Sequence, residues 1–311
     1  MTESSKNASD IPELTSIVLV GGMGTRLKEN RKKIDTKKFP QIDSSFEGQV
    51  GPKGLALMKP AWSSSELPLT DWHLKIHQAC PQITNISLAL GCRADLMMEY
   101  YKAGSLGMLE EKNPAGTLAP LIKMHSEKQL GSGVYVYANG DNLADIDFAS
   151  CYKLGFDAAK KSGVNTDAFV IDIASLVPWE ESASYGTLDM DFDSGLVKSF
   201  KEKGPIKENA FIEVDGEKKT PINSGFSIIV NPLGLFEEFL DQRVIETSLK
   251  LEAGELEYRG NEKIVKYETF YEKLAAEKRM VAVLHKGYWT DLGTEEKIQL
   301  CEEEMPKEFF N

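Results

Sequence analysis

The sequence predicts an α/β fold, a mixed, mostly parallel sheet with helices on both faces and a small β-rich part late in the chain. Three observations carry that prediction. Through the first half, short apolar runs bounded by turn residues alternate with stretches of helical period, the pattern that builds a parallel sheet covered on both sides. The second half changes to hairpin-like segments around an Asp-Ser-Gly turn at residues 193–195. The chain has 311 residues, 41% of them hydrophobic, enough to bury one large α/β core or two modest ones.

Taken in order, residues 1 to about 14 are polar and read as a loose tail. "SIVLV" (16–20) is the first core strand and runs into a glycine-rich loop. "TDWHLKIHQAC" (70–80) and "ADLMMEYYKAG" (94–104) have amphipathic spacing with polar starts and read as crossover helices. "ISLAL" (86–90), "GVYVYA" (133–138) and "DAFVIDI" (167–173) are further core strands. "DFASCYKLGFDAAKKSG" (147–163) ends in Lys-Lys-Ser-Gly, a helix C-terminal signal. "YGTLDMDFDSGLVKSFKEK" (185–203) reads as a hairpin, with "INSGFSIIV" (222–230) and "RMVAVLHKGYW" (279–289) as later strands. No internal repeat and no apolar-poor linker divides the chain, so residues 15–311 are expected to form a single domain.

Composition removes several functions. A formal charge of −12 argues against a general nucleic-acid binder, whose affinity comes from a Lys/Arg surplus over phosphates. The four cysteines lack CxxC spacing, so neither a zinc site nor a disulfide framework is suggested, and a reducing cytoplasm fits. The N-terminus lacks the apolar run of a signal peptide, and no window reaches the roughly 18 apolar residues of a membrane span. No membrane and no nucleic-acid partner is expected, and a homo-oligomer stays open.

The loop "VLVGGMGTRL" (18–27) poses the functional question. Glycines after an apolar strand let backbone N–H groups approach a ligand, most often a phosphate. It is not a Walker A loop, since no Gly-Lys-Ser/Thr follows, nor the dinucleotide fingerprint, since Leu27 stands where the third glycine belongs. Instead Gly21, Gly22 and Gly24 precede Thr25, which adds a hydroxyl, and Arg26, a planar fork for two phosphate oxygens. A tight strand-to-helix turn with a solvated arginine is the competing reading.

Collinear segments elsewhere resolve the choice. "LVGGMGTRL", "GPKGLALM" (51–58), "KNPAGTLAPL" (112–121), "YANGDNLADID" (137–147), the 185–204 hairpin followed by "INSGF", and "GYWTDLGT" (287–294) occur in the order found in one family. Over residues 16 to 295 the chain resembles the sugar-1-phosphate nucleotidyltransferases, or nucleoside-diphosphate-sugar pyrophosphorylases. The resemblance implies a Rossmann-like sheet with a nucleotide-binding part at about 15–180 and a sugar-binding part at about 181–295. It implies that the α-phosphorus of a nucleoside triphosphate is attacked by a sugar-1-phosphate oxygen, with Mg²⁺ present, and pyrophosphate leaves. That nucleophile is already ionised, so the task is to bring two polyanions together in line and absorb charge.

On the same resemblance, Arg26 and the Gly21–Thr25 backbone hold the β/γ-phosphates, and Lys53 neutralises the α-phosphate. Lys203 clamps the sugar phosphate beside Glu202, which binds sugar hydroxyls. Gly116 and Thr117 lie beside the base and ribose. Tyr185, Gly186 and Asn223 shape the sugar pocket, and Asp141 and Asp291 hold the metal. Each has a plain rival: Asp141 in Asn-Gly-Asp-Asn and Asp291 as turn residues, Lys203 as a solvated lysine. His73 and His77, four apart, could meet zinc, but the HExxH glutamate is missing, so both read as helix-surface or core residues. Trp289 is read as packing against the sheet or against sugar, core packing being the commoner fate of a Trp in such a strand.

Departures from the family pattern are also plain. Residues 28–51 form a connection much longer than the family's, carrying Lys28, Arg31, Lys32, Lys33, Lys37 and Lys38. It reads as a solvated basic loop, with a lid over the triphosphate as the alternative. The signature resembles guanylyltransferases while the hairpin resembles cytidylyltransferases, so base and sugar stay open. Two other classes remain: a non-catalytic nucleotide-sugar-binding regulator, and a nicotinamide-dependent oxidoreductase that the missing third glycine disfavours.

Overall fold

The computed structural model describes residues 11–22, 24–28, 32–113, 115–205, 210–256 and 266–307. Its strands are β1 (Leu14–Leu19), β2 (Leu57–Met58), β3 (Leu67–Pro68), β4 (Ile83–Leu90), β5 (Gly107–Glu110), β6 (Val134–Asn139), β7 (Asn142–Ala144), β8 (Phe169–Pro178), β9 (Gly186–Met190), β10 (Val197–Glu202), β11 (Ile212–Val214), β12 (Glu217–Val230), β13 (Met280–Leu284) and β14 (Trp289–Asp291). The helices among the described residues are α1 (Leu69–Gln78), α2 (Ala94–Tyr101), α3 (Ala119–Ser126), α4 (Phe148–Ser162), α5 (Pro232–Phe239), α6 (Gln242–Glu252), α7 (Tyr267–Ala276) and α8 (Glu295–Glu304). Among these, no helix is long and apolar enough to cross a membrane.

The sheet is mixed, as the sequence predicts. β5, β4, β1 and β6 lie side by side and parallel, so all four deliver their C-terminal ends to one edge. The long strand β12 runs antiparallel to β6 and to β8, and the hairpin β9–β10 joins it. Along β6, Val134, Val136 and Ala138 pack on one face while Tyr135 and Tyr137 pack on the other. Both faces are covered, which is why "GVYVYA" is apolar throughout instead of alternating.

Helix signals hold where they are local. Asp147 caps α4 by accepting from Ser150 N at 3.1 Å, and Gly163 closes it in the left-handed conformation at φ 70°. β1 starts at Leu14, which is fully buried and donates from its N–H to Gln82 O at 2.8 Å, so the ordered chain begins inside the stretch assigned to the tail. Residues 1–10 of that tail lie outside the described residues.

The long connection is not a solvated loop. Ile34, Phe39 and Ile42 are buried with Leu74, Leu96 and Met97. Phe39 meets Tyr100 edge-on at 5.7 Å, and Arg93 Nη1 donates to Val50 O at 2.6 Å. Apolar residues spaced among lysines thus give this arm a small core of its own, and only Arg31 of its basic residues falls outside the described ones.

The histidines of α1 are core residues. His73 and His77 are fully buried and share a hydrogen bond between their Nε2 atoms at 2.9 Å. The outer nitrogens meet Asn142 O and Ser16 Oγ, each at 2.8 Å. Burial pushes His73 down to about 4, so the pair is neutral, and every ring nitrogen is used inside the protein.

Candidate active site

The site opens where the sheet forks. Along one side of β12, β6 stops opposite Phe226, with Ala138 as its partner, and β9 begins opposite Ile222, with Thr187 as its partner. Between those positions β12 bulges at Asn223–Phe226, and Gly225 takes φ +83°. A side chain at Gly225 would collide with Asn142 Nδ2, so glycine is required by conformation and by space together. Asn142 Nδ2 at 2.7 Å and Trp289 Nε1 at 2.8 Å both donate to Ser224 O and pin the bulge. Trp289 is therefore half core and half anchor.

β7 and β14 form a two-stranded ribbon over this fork, with Asn142 opposite Asp291. Leu292 N donates to Asp141 O at 2.6 Å, so the two aspartates, 150 positions apart in the numbering, leave adjacent backbone positions. Lys53 Nζ donates to Asp141 Oδ2 at 2.9 Å. Lys53 is 8% exposed, at the start of a 3₁₀ turn. Burial pushes the Asp141 carboxyl up, but the Lys53 ammonium and the Arg26 guanidinium outweigh it and hold the group below its ordinary range.

The signature loop sits against this pair. Gly24 has φ +59°, and a Cβ there would lie 2.8 Å from Lys53 Cβ. The close approach brings Lys53 beside the loop although it lies 29 positions beyond Gly24. Arg26 reaches the turn after β14: a Cβ on Gly293 would lie 3.2 Å from Arg26 Nη2 and 2.8 Å from Asp291 Oδ1. Gly22, Thr25 and Arg26 are exposed at the end of β1, and Gly21 O accepts from Cys92 N at 3.1 Å.

Asp291 carries the partner that sequence reasoning missed. Lys297 Nζ lies against Asp291 Oδ2, Tyr185 OH donates to the same oxygen at 3.1 Å, and Gly293 N donates to Oδ1 at 3.1 Å. Lys297 also donates to Tyr185 OH at 3.1 Å. Burial works against its charge, but Asp291 and Tyr185 raise the Lys297 pKa. A signal existed: Lys297 lies in the first turn of α8 behind its cap Thr294, where the helix dipole disfavours a cation.

The remaining predicted residues divide. Gly186 pairs with Glu202 across β9 and β10, and Lys203 N donates to Tyr185 O at 3.3 Å, so the hairpin's end lies beside Tyr185. Lys203 is exposed, 3.8 Å from Glu202. Asn223 is committed inward: its amide donates to Asp172 Oδ2 and its oxygen accepts from Gly225 N at 2.8 Å. Thr117 is committed too, its hydroxyl donating to Glu268 Oε2 and accepting from Tyr267 N, both at 3.1 Å, at the start of α7. Gly116 precedes it at φ +133°, and Pro114 of the same segment lies outside the described residues. Among the described residues, no cluster of three or more His, Cys, Asp or Glu side chains is placed to hold a metal.

The C-terminal edge of this α/β sheet gathers a glycine loop, two basic side chains and two aspartates, at the place where open α/β sheets hold ligands. A family model described as Nucleotidyl transferase matches residues 82–307, well over half of the chain, and the chain belongs to that family. The glycine loop and Lys53 precede the matched range. No curated protein matches the sequence significantly. The fold is similar to that of HddC from Yersinia pseudotuberculosis complexed with GMP-PN, at 19% identity and TM-score 0.51, over 92% of this chain and 96% of that one. It is also similar to a putative glucose-1-phosphate thymidylyltransferase from Bacillus anthracis in complex with a sucrose, at 17% identity and TM-score 0.58, over 95% and 98%.

Proposed function

We propose that the chain joins a nucleoside triphosphate to a sugar-1-phosphate, releasing pyrophosphate. The observation that carries this reading is the convergence of Arg26 and Lys53 on Asp141 and Asp291 at the mouth of the fork. Two anions must meet there, and their repulsion is the barrier to be cancelled. Arg26 and the exposed loop backbone bind the terminal phosphates. Lys53, fixed by burial and by Gly24, meets the charge that builds at the α-phosphate. The sugar phosphate enters from the hairpin side, past Glu202 and Lys203, with Tyr185 and the bulge at Asn223 walling the pocket.

The donor set fits Mg²⁺: Asp141 and Asp291 offer hard carboxylate oxygens on adjacent backbone positions and leave room for phosphate oxygens and water. When bound, the ion supplies charge neutralisation at the transferring phosphate. HddC, which has a similar fold, was crystallised with GMP-PN, which supports a nucleotide as one of the substrates.

The experiment is a pyrophosphate-release screen of the common nucleoside triphosphates against a panel of sugar-1-phosphates, with and without Mg²⁺. Asp141→Ala in the productive combination should abolish turnover in a protein that still folds, with a lowered thermal transition because the buried Lys53 loses its carboxylate partner. Near-normal turnover in that variant would remove the metal assignment.

A further inference from the structure

Three cations crowd two carboxylates at the ribbon. Lys53 pairs with Asp141, Lys297 pairs with Asp291, and Arg26 borders Asp291 and acts on Asp141. Before any ligand enters, the described cluster therefore carries an excess of positive charge. Lys297 is the cation with the least structural excuse. It stands in the first turn of a helix, against the dipole, between two partners that are themselves site residues, Asp291 and Tyr185, and its charge lies over the Tyr185 ring at 5.3 Å. Its side chain is 38% exposed and that of Asp291 is 18% exposed, so the ammonium can leave the carboxylate for water or for a phosphate oxygen.

We infer that Lys297 is an internal counter-cation on Asp291 that a divalent ion must displace, so that the chain weakens its own affinity for free metal. The inference rests on the reading of Asp141 and Asp291 as metal ligands. A free dication adds charge to a cluster already short of carboxylates. A dication arriving with a polyanionic nucleotide does not, because the phosphates offset it and receive the released lysine. Metal and nucleotide then bind together more readily than metal alone. The same residue prevents Asp291 from standing uncompensated near the incoming phosphates.

The test uses Mn²⁺ alone with the full chain, following the free-ion signal by electron paramagnetic resonance without nucleotide. Lys297→Met and Lys297→Gln should each bind Mn²⁺ about two- to fivefold more tightly than the parent, the scale expected from losing one partly exposed ion-pair partner. Lys297→Arg, which keeps the charge, should bind like the parent. Unchanged or weaker binding in both neutral variants overturns the inference. Asp141→Asn and Asp291→Asn separate the two levels: if they abolish Mn²⁺ binding while the Lys297 variants change nothing, the counter-cation role alone fails. If neither aspartate variant affects Mn²⁺ binding, the metal site itself is wrong and the inference falls with it.

Discussion

Asp172→Asn should stabilise the protein, by an amount that grows with pH. Asp172 lies in the middle of β8, has no exposed surface, and accepts from Asn223 Nδ2 on Oδ2, while its Oδ1 is buried without a hydrogen-bond partner. Burial pushes its carboxyl up to about 8, against a partial opposing effect of the Asn223 hydrogen bond. The folded value is thus raised above the unfolded one. Its contribution to stability is fully present below the unfolded pKa of 3.8 and is lost as pH rises to 8. Across that window the native state must hold a proton that the unfolded chain releases, which costs about 1.4 kcal/mol for each pH unit and about 6 kcal/mol over the whole span. An asparagine has the same shape, keeps an acceptor for Asn223 and does not titrate.

The assay is urea unfolding of both proteins at pH 5, 6, 7 and 8. The stability difference between variant and parent should rise by about 3 kcal/mol between pH 5 and 7, on top of whatever constant offset the amide introduces. Other groups contribute in this range. Burial lifts Glu111 up to about 8, and it pushes His73 down to about 4 and His77 well below its ordinary value, with the opposite sign for stability. All are common to the two proteins and cancel in the difference. A difference that stays constant from pH 5 to 8 would refute the claim that Asp172 folds as a neutral acid.

Two further outcomes follow from single contacts. Gly24→Ala puts a methyl 2.8 Å from Lys53 Cβ at a backbone φ of +59°, so turnover should fall at least about tenfold with a stability loss of about 1–3 kcal/mol; parent-like pyrophosphate release would show that the loop tolerates another path. His73→Phe keeps the parallel stacking on Phe226 but leaves Asn142 O and His77 Nε2 without their partner, which should cost about 1–3 kcal/mol in urea unfolding. An unchanged midpoint would mean that the buried chain from Ser16 to Asn142 contributes nothing.

What could be read in advance depended on how far apart the cooperating residues lie. The strands at 86–90 and 133–138 and the helix capped by Asp147 and closed by Gly163 announce themselves locally, through burial on both faces and through residues that satisfy helix ends. Arg26, Lys53, Asp141 and Asp291 stand out in the sequence only as an ordered set, and the ribbon of β7 and β14 brings the backbones of the two aspartates side by side. The arm at 32–51 was misread because its three buried apolar residues are diluted among lysines, and nothing local distinguishes a solvated lysine loop from one folded over α2. Asn223 was expected to face the sugar, yet its amide is spent on Asp172, a contact fixed by the pairing of β12 with β8 across a bulge that no short window contains. The one polar residue inside "DAFVIDI" was the available signal. A carboxyl placed in a run buried on both faces costs several kcal/mol unless something requires it. Here Asp172 fixes the orientation of Asn223 at the bulge, so it trades stability for a fixed turn in β12. The same logic marks Lys297 in the first turn of α8. In both cases the residue that violates its local environment holds a residue proposed for the site, Asn223 or Asp291.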